Sequence, residues 1–216
     1  MSHEIKPERH ELETARHLVI EALEKVEDRF PKEEKFTVSV GWSGQSFVRE
    51  KMDGSAGTTY SSRFFEINFN SEADRWKTAI KTTTVHEYAH AWHYEKRFEE
   101  GRNEYVWQYV IDEAITQRMA EKIFPGYEAP QRTKHSKEKV SEYWQEVRDK
   151  ELDREFSKVD YPYPLYIDRS GDNYPLWLGY SLSYLIGGKL LEDHDLEDFP
   201  DLKKVELVEA GNSLFT

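Results

Sequence analysis

The sequence predicts an α+β fold, with a small antiparallel or mixed sheet packed on a long helix and followed by a mostly helical C-terminal half. Two short segments before residue 70 alternate apolar and polar residues, as half-buried strands do. Later segments repeat apolar residues at helical spacing, and Gly and Pro separate them. Since 216 residues suit one domain, we expect a single domain over 1–216. Residues 1–100 would form the sheet and the long helix, and 101–216 the helical half.

The first elements are a helix and then the strands. Pro7–Phe30 carries apolar residues at helical spacing. Phe36–Val40 and Arg63–Phe69 alternate, and Gln45–Lys51 is compatible with a further strand. The turn signals among them are Asp53-Gly54 and Ala56-Gly57. We therefore expect three or four antiparallel strands in this region.

The chain beyond Asn70 has helical periodicity. Ser71 and Asp74 form an N-terminal capping signature, and Arg75–Phe98 contains neither Gly nor Pro, which predicts a helix of about six turns. Pro200 is expected to open a short last helix that Gly211 closes. Three further helices and an extended loop are predicted, the helices at Tyr105–Ile123, Ser136–Phe156 and Pro175–Leu191 and the loop at Tyr161–Asn173.

The charge balance argues against several classes of partner. The chain has 30 Lys and Arg against 42 Asp and Glu, a formal net charge of −12, which repels nucleic-acid phosphates and anionic lipid heads at long range. We therefore expect no nucleic-acid partner and no membrane association. No apolar run approaches the roughly 20 residues of a membrane span. The polar N-terminus lacks the pattern of a signal peptide, so a cytoplasmic location is expected.

The absence of cysteine restricts the chemistry further. Disulfides, a cysteine nucleophile and thiolate metal sites are excluded, so any metal ion must be bound by histidine and carboxylate side chains. The aromatic content of 14% supplies large side chains for a core that the aliphatic residues alone would leave thin.

One motif in the long helix carries chemistry: His86-Glu87-Tyr88-Ala89-His90. Two histidines at positions i and i+4 of a helix lie one above the other, so both imidazoles can reach one Zn²⁺ at about 2.1 Å. Glu87 points about 100° away from His86, toward a water at the metal rather than the metal itself. This pattern indicates a hydrolytic site. The alternative is a solvated helix with incidental histidines.

A catalytic zinc site needs a third protein ligand, and Glu113 is the best candidate. It lies in the apolar segment Val110–Ile115, where burying a lone carboxylate would cost several kcal/mol or force its protonation. A divalent cation resolves both problems. Asp112 is the rival ligand, but it points about 100° away, so only one of the two can face the site. The alternative for Glu113 is an acid on the helix surface.

His93 lies on the same helix face as the motif histidines. It follows His86 by two helical turns, roughly 10.5 Å along the axis, which is too far for the two imidazoles to share a metal comfortably. We interpret it as a histidine that lines a cleft or packs in the core.

The segment His86–Trp92 followed by Asp112–Ala114 resembles the gluzincin group of zinc metallopeptidases, especially the minigluzincins and uncharacterised predicted zinc-dependent proteases. The resemblance covers residues 63 to 122. It implies a zincin-like fold in which His86, His90 and Glu113 bind Zn²⁺ and Glu87 is the general base. It also implies that the last strand, here Phe64–Asn70, edges the cleft and offers its backbone to an extended peptide.

Comparison with the gluzincin pattern draws attention to two further residues. Many gluzincins have an aspartate one turn after the glutamate ligand, where this chain has Gln117, so the surroundings of the ligands must differ. Related peptidases use a tyrosine or histidine of the C-terminal half to stabilise the developing oxyanion. Tyr180 is the candidate here, with Tyr184 on the same helix face. The alternative is that both tyrosines are core residues.

These observations predict a zinc-dependent peptidase that hydrolyses a peptide or protein substrate, with Glu87 and Tyr180 as the catalytic residues. Two alternatives remain at this point. The first is a zinc-stabilised interaction or regulatory domain without catalysis. The second is an enzyme that hydrolyses a small non-peptide amide.

Overall fold

The computed structural model describes residues 7–97, 104–155, 157, 163–167, 171 and 173–216. These residues form a small three-stranded mixed sheet and many helices, which confirms the α+β class. The chain divides into two compact units, Met1–Gly101 with Met119–Pro130, and Arg102–Arg118 with Gln131–Thr216. That these units make one domain stays a prediction. Among the described residues, no helix combines the length and the apolarity needed to cross a membrane.

The first unit contains the sheet. Its elements are α1 (Arg9–Arg29), β1 (Thr37–Trp42), α2 (Ser46–Lys51), β2 (Ser55–Ser61), β3 (Phe64–Phe69) and α3 (Trp76–Arg97). The strand order is β1-β3-β2, with β1 parallel and β2 antiparallel to β3. The sheet and α1 both pack on α3.

The core of this unit follows from the alternation in β3. Phe65, Ile67 and Phe69 point to one face and are fully buried. Phe69 stacks on Trp76 in the first turn of α3, with ring centroids 5.2 Å apart. The Tyr88 hydroxyl, also on α3, donates a hydrogen bond of 2.6 Å to the carbonyl of the residue that directly follows α1. Apolar burial therefore fixes α3 between the sheet and α1.

The second unit is helical. Its elements are the first part of α4 (Val106–Ile123), α5 (Lys137–Glu146), a π-helical turn (Val147–Glu151), α6 (Pro164–Ile167), α7 (Leu178–Leu190), a 3₁₀ turn (Leu196–Asp201) and α8 (Lys204–Phe215). Helix α8 packs on α5 and α7. The buried indole of Trp144 donates to the Asn212 side chain over 2.9 Å, which joins α5 to α8.

Three predictions in the sheet region were wrong. Gln45–Lys51 contains helix α2 rather than a strand, and β1 pairs directly with β3. Ala56-Gly57 is not a turn but lies inside β2. The strands are not all antiparallel, because α2 and β2 lie between β1 and β3 in the chain and allow a parallel pair.

Several helix boundaries also differ from the predictions. Helix α3 begins at Trp76, since the Asn70 side chain accepts the Glu72 N–H and holds a turn there instead. Pro200 lies in the 3₁₀ turn, and α8 begins at Lys204 and continues through Gly211. The predicted helix Ser136–Phe156 ends earlier, with the π-helical turn at Glu151. The predicted helix end at Phe98 lies outside the described residues, as does part of the predicted loop Tyr161–Asn173. The described part of that loop contains the short helix α6 rather than extended chain alone.

Candidate metal centre

Helix α3 presents the two histidines of the motif. His86 and His90 lie on successive turns, with ring centroids 4.9 Å apart and ring planes at 81°. His90 is buried and His86 is half-buried. No Gly or Pro interrupts the helix here, so the i and i+4 positions keep the spacing that brings both imidazoles to one side.

Helix α4 presents Glu113 in the second unit. Its side chain is 1% exposed, and the neighbouring apolar residues of the helix are fully buried. The Thr116 hydroxyl donates to the Glu113 backbone carbonyl over 3.0 Å. Asp112 is buried as well, so burial alone does not distinguish the two acids. Glu113 is therefore a buried acid and not one on the helix surface, and its role as a metal ligand stays a prediction.

His86, His90 and Glu113 form a group that can hold a metal ion. One ligand atom from each of the three side chains lies within 4.8 Å of the other two. Two imidazole nitrogens and one carboxylate oxygen are the donor set of catalytic zinc sites of the His₂Glu type. The buried carboxylate gains a compensating charge when a cation is bound. The residues present therefore fit a zinc ion.

Glu87 is held by strand β2 of the same unit. The residue is 6% exposed. The Thr59 hydroxyl lies 2.7 Å from its Oε2 atom and 2.9 Å from its backbone oxygen. A β-carbon added to Gly57 would lie 2.3 Å from the Glu87 Cγ atom. Gly57 and Thr59 were not among the predicted site residues, although a glycine inside a strand is a known sign of close approach.

The strand at the edge of the sheet is not the one that the resemblance to gluzincins implies. Strand β3 is central and pairs on both sides, so the expectation that Phe64–Asn70 edges a cleft was wrong. Since β3 carries the most strongly apolar alternation, it takes the central place in the sheet. The antiparallel edge strand is β2, and it is β2 that contacts Glu87.

Tyr180 lies half-buried on α7 in the second unit. Its ring meets the ring of Tyr166 edge to face, with centroids 5.0 Å apart. Burial, and next the negative charge of Glu113, hold the pKa of Tyr166 well above its usual value. Tyr166 therefore lies close to both Glu113 and Tyr180. A catalytic role for Tyr180 stays a prediction.

Gln117 occupies the position one turn after Glu113 on α4. Its amide nitrogen donates to the backbone oxygen of Tyr180 over 3.0 Å and so joins α4 to α7. His93 is fully buried, which favours the packing alternative over a cleft-lining one.

A family model described as "Predicted Zn-dependent protease (DUF2268)" matches residues 17–208. The chain belongs to this family. The matched segment includes the whole of α3 and α4, and therefore all three residues of the metal-binding group. No curated protein and no solved structure matches the chain.

Membership of the family agrees with the chemistry of the site. Its description names zinc and proteolysis, and the two histidines and the glutamate are the donors that zinc takes in hydrolytic sites. The family description therefore indicates a zinc-dependent protease, and the donor set fits the zinc ion that this description names.

Proposed function

We propose that the protein is a zinc metallopeptidase of the gluzincin type with zincin-like packing around the site. His86, His90 and Glu113 would hold one Zn²⁺. The observation that carries the proposal is the grouping of their ligand atoms within 4.8 Å, with the buried Glu87 next to His86 on α3. When bound, the zinc ion supplies a Lewis acid that lowers the pKa of a water and polarises the scissile carbonyl.

Glu87 is the proton carrier in this proposal. Its carboxylate takes a proton from the attacking water and later delivers it to the leaving amine. The Thr59 hydroxyl donates toward Oε2 and so holds the carboxylate in one position. The Tyr180 hydroxyl is the proposed donor to the carbonyl oxygen, which gains negative charge as the tetrahedral carbon forms.

The position of β2 at an edge of the sheet favours a peptide as the substrate. A peptide that adds to this edge as an extended strand would run next to Gly57 and Thr59, which both contact Glu87. Its scissile carbonyl would then lie beside the general base. The net charge of −12 favours the approach of neutral or basic peptides over acidic ones.

The substitution Glu87→Gln tests the proposal. We expect the variant to bind one zinc ion per chain, as the wild type does, because the ligands are unchanged. Hydrolysis of fluorescein-labelled casein should fall at least about 100-fold, since a general base contributes that much. Glu24→Gln, an exposed acid on α1, is the control and should retain full activity. Undiminished hydrolysis by Glu87→Gln would contradict the role of Glu87.

A second candidate is a zinc-stabilised regulatory domain that does not cleave peptides. The burial of Glu87, His90 and Glu113 favours it, because a closed site leaves little room for a substrate. It predicts that zinc raises the thermal unfolding temperature of the wild type, while neither casein nor a random peptide mixture is cleaved. Cleavage that a chelator abolishes and added zinc restores would rule this candidate out.

A further inference from the structure

We propose that Gly57 and Thr59 of strand β2 are positioning residues for Glu87, with Thr59 holding its carboxylate and Gly57 leaving the space it occupies. The proposal rests on the proposed function of Glu87 as general base. The two residues lie two positions apart in β2, so both face α3 from the same side of the strand. We call this pair the Glu87 cradle.

The Thr59 hydroxyl touches Glu87 at two places. Its Oγ1 atom lies 2.7 Å from the Oε2 atom and 2.9 Å from the backbone oxygen of Glu87. Both of these atoms are acceptors, so the single hydroxyl proton can serve either one, and the hydroxyl stays next to both. A hydrogen bond to an ionised carboxylate is short and strong. Thr59 therefore restricts the rotation of the Glu87 side chain relative to its own backbone.

Gly57 supplies the space on the other side of the carboxyl group. A β-carbon at this position would lie 2.3 Å from Cγ, 2.6 Å from Cδ and 2.6 Å from Oε1 of Glu87. All three distances are far shorter than van der Waals contact, so any other residue would displace the carboxylate. The backbone of Gly57 does not have the positive φ of Gly54. Glycine is therefore required at position 57 for space rather than for backbone conformation.

The cradle has a consequence for catalysis because a general base must be held accurately. A displacement of about 1 Å can reduce a rate by about 100-fold. A merely structural hydrogen bond would instead anchor β2 on α3 and affect stability alone. The two interpretations differ in what happens to a folded, zinc-loaded variant without the hydroxyl.

Three variants separate these interpretations. Thr59→Val removes the hydroxyl but keeps the shape of the side chain, and Thr59→Ser keeps the hydroxyl. Thr37→Val makes the same change at an exposed threonine of β1, on the opposite edge of the sheet, and serves as the control. Each protein is loaded with zinc and crystallised, and kcat and KM are measured with fluorescein-labelled casein.

If the Glu87 cradle positions the general base, the Glu87 carboxylate should move by about 1 Å or more in Thr59→Val. The value of kcat should then be about 10- to 100-fold lower, with KM unchanged. Thr59→Ser and Thr37→Val should match the wild type in both readouts. Gly57→Ala is an independent variant that should displace the carboxylate even where Thr59→Val folds poorly. A carboxylate that keeps its wild-type position in both Thr59→Val and Gly57→Ala would overturn the proposal, as would loss of kcat in Thr59→Ser equal to that in Thr59→Val.

The crystallographic readout also separates this proposal from the proposed function. If the zinc-loaded wild type hydrolyses no casein, the assignment of peptidase activity fails. Movement of Glu87 in Thr59→Val and Gly57→Ala would still support the cradle as the element that fixes this carboxylate.

Discussion

At the scale of single residues, the candidate metal centre combines three ligand side chains from α3 and α4 with a buried Glu87 that strand β2 contacts. The sequence predicts His86 and His90 from their helical spacing, and it predicts Glu113 because this acid is flanked by apolar residues. Both signals are local in the chain. The contacts of Gly57 and Thr59 with Glu87 depend on how the sheet packs on α3. A glycine inside a strand indicates a close approach but not what approaches it, so the contacts of these two residues with Glu87 could be found only in the structure.

A buried ion pair at the end of α3 is a second residue-scale feature. The side chains of Lys32 and Glu95 are 0% and 8% exposed, and the Lys32 ammonium also donates to the carbonyl of Ala91. The backbone N–H groups of Glu33 and Glu34 donate to the same Glu95 carboxylate. Burial raises the pKa of Glu95, but these hydrogen bonds together outweigh it, so its pKa lies below the usual value.

We expect Glu95→Gln to lower the free energy of unfolding by about 3 kcal/mol at pH 7, because Lys32 would keep its charge without its buried partner. A carboxylate with a lowered pKa stabilises the fold above its unfolded pKa, and this contribution disappears as the pH falls through the folded pKa. The wild type and the variant should therefore approach each other in stability toward pH 3. Urea unfolding at both pH values measures the difference.

The matched control for this prediction is Glu33→Gln. Glu33 lies 3.8 Å from Lys96 with its side chain 88% exposed, and surface pairs contribute about 0–1 kcal/mol. Equal losses of stability in Glu33→Gln and Glu95→Gln would contradict the claim that the buried ion pair contributes more to stability than the exposed one.

At the scale of elements, long helices are predictable and short or tertiary features are not. Helices α1, α3 and α4 appear close to their predicted ranges because each carries a long periodic pattern. Helix α2 has only six residues, and a single buried valine gives no period to detect. In the sequence, Gly211 predicts the end of a helix, yet α8 continues through it. The glycine lies against Trp144, where a side chain would have no space.

We expect Gly211→Ala to destabilise the protein, although alanine is the better helix former by about 1 kcal/mol. A β-carbon at position 211 would lie 2.2 Å from the Trp144 ring, and this indole is buried and hydrogen-bonded to Asn212. The overpacking should lower the free energy of unfolding by about 1–3 kcal/mol, measured by urea unfolding.

Ser213→Ala is the control on the same helix, because Ser213 is exposed. Helix propensity alone should leave its stability equal or slightly higher. A gain in stability in both variants would show that Trp144 does not fill the space next to Gly211.

At the scale of the whole molecule, the order of elements was predictable and the order of strands was not. The change from alternating to helical periodicity near residue 70 places the sheet before the long helices, as the structure has it. The strand order β1-β3-β2 depends on pairing between segments distant in the chain, and the sequence favoured antiparallel neighbours because hairpins need only short turns. The absence of cysteine left histidine and carboxylates as the metal donors, and those are the residues in the group found.

The central claim is that His86, His90 and Glu113 bind one zinc ion. The most direct measurement is a crystal structure of the zinc-loaded protein with anomalous diffraction at the zinc absorption edge. We expect one anomalous peak per chain, with two imidazole nitrogens and a Glu113 oxygen at about 2.0–2.2 Å from the ion. A peak at other residues, or one at His86 and His90 that excludes Glu113, would contradict the claim.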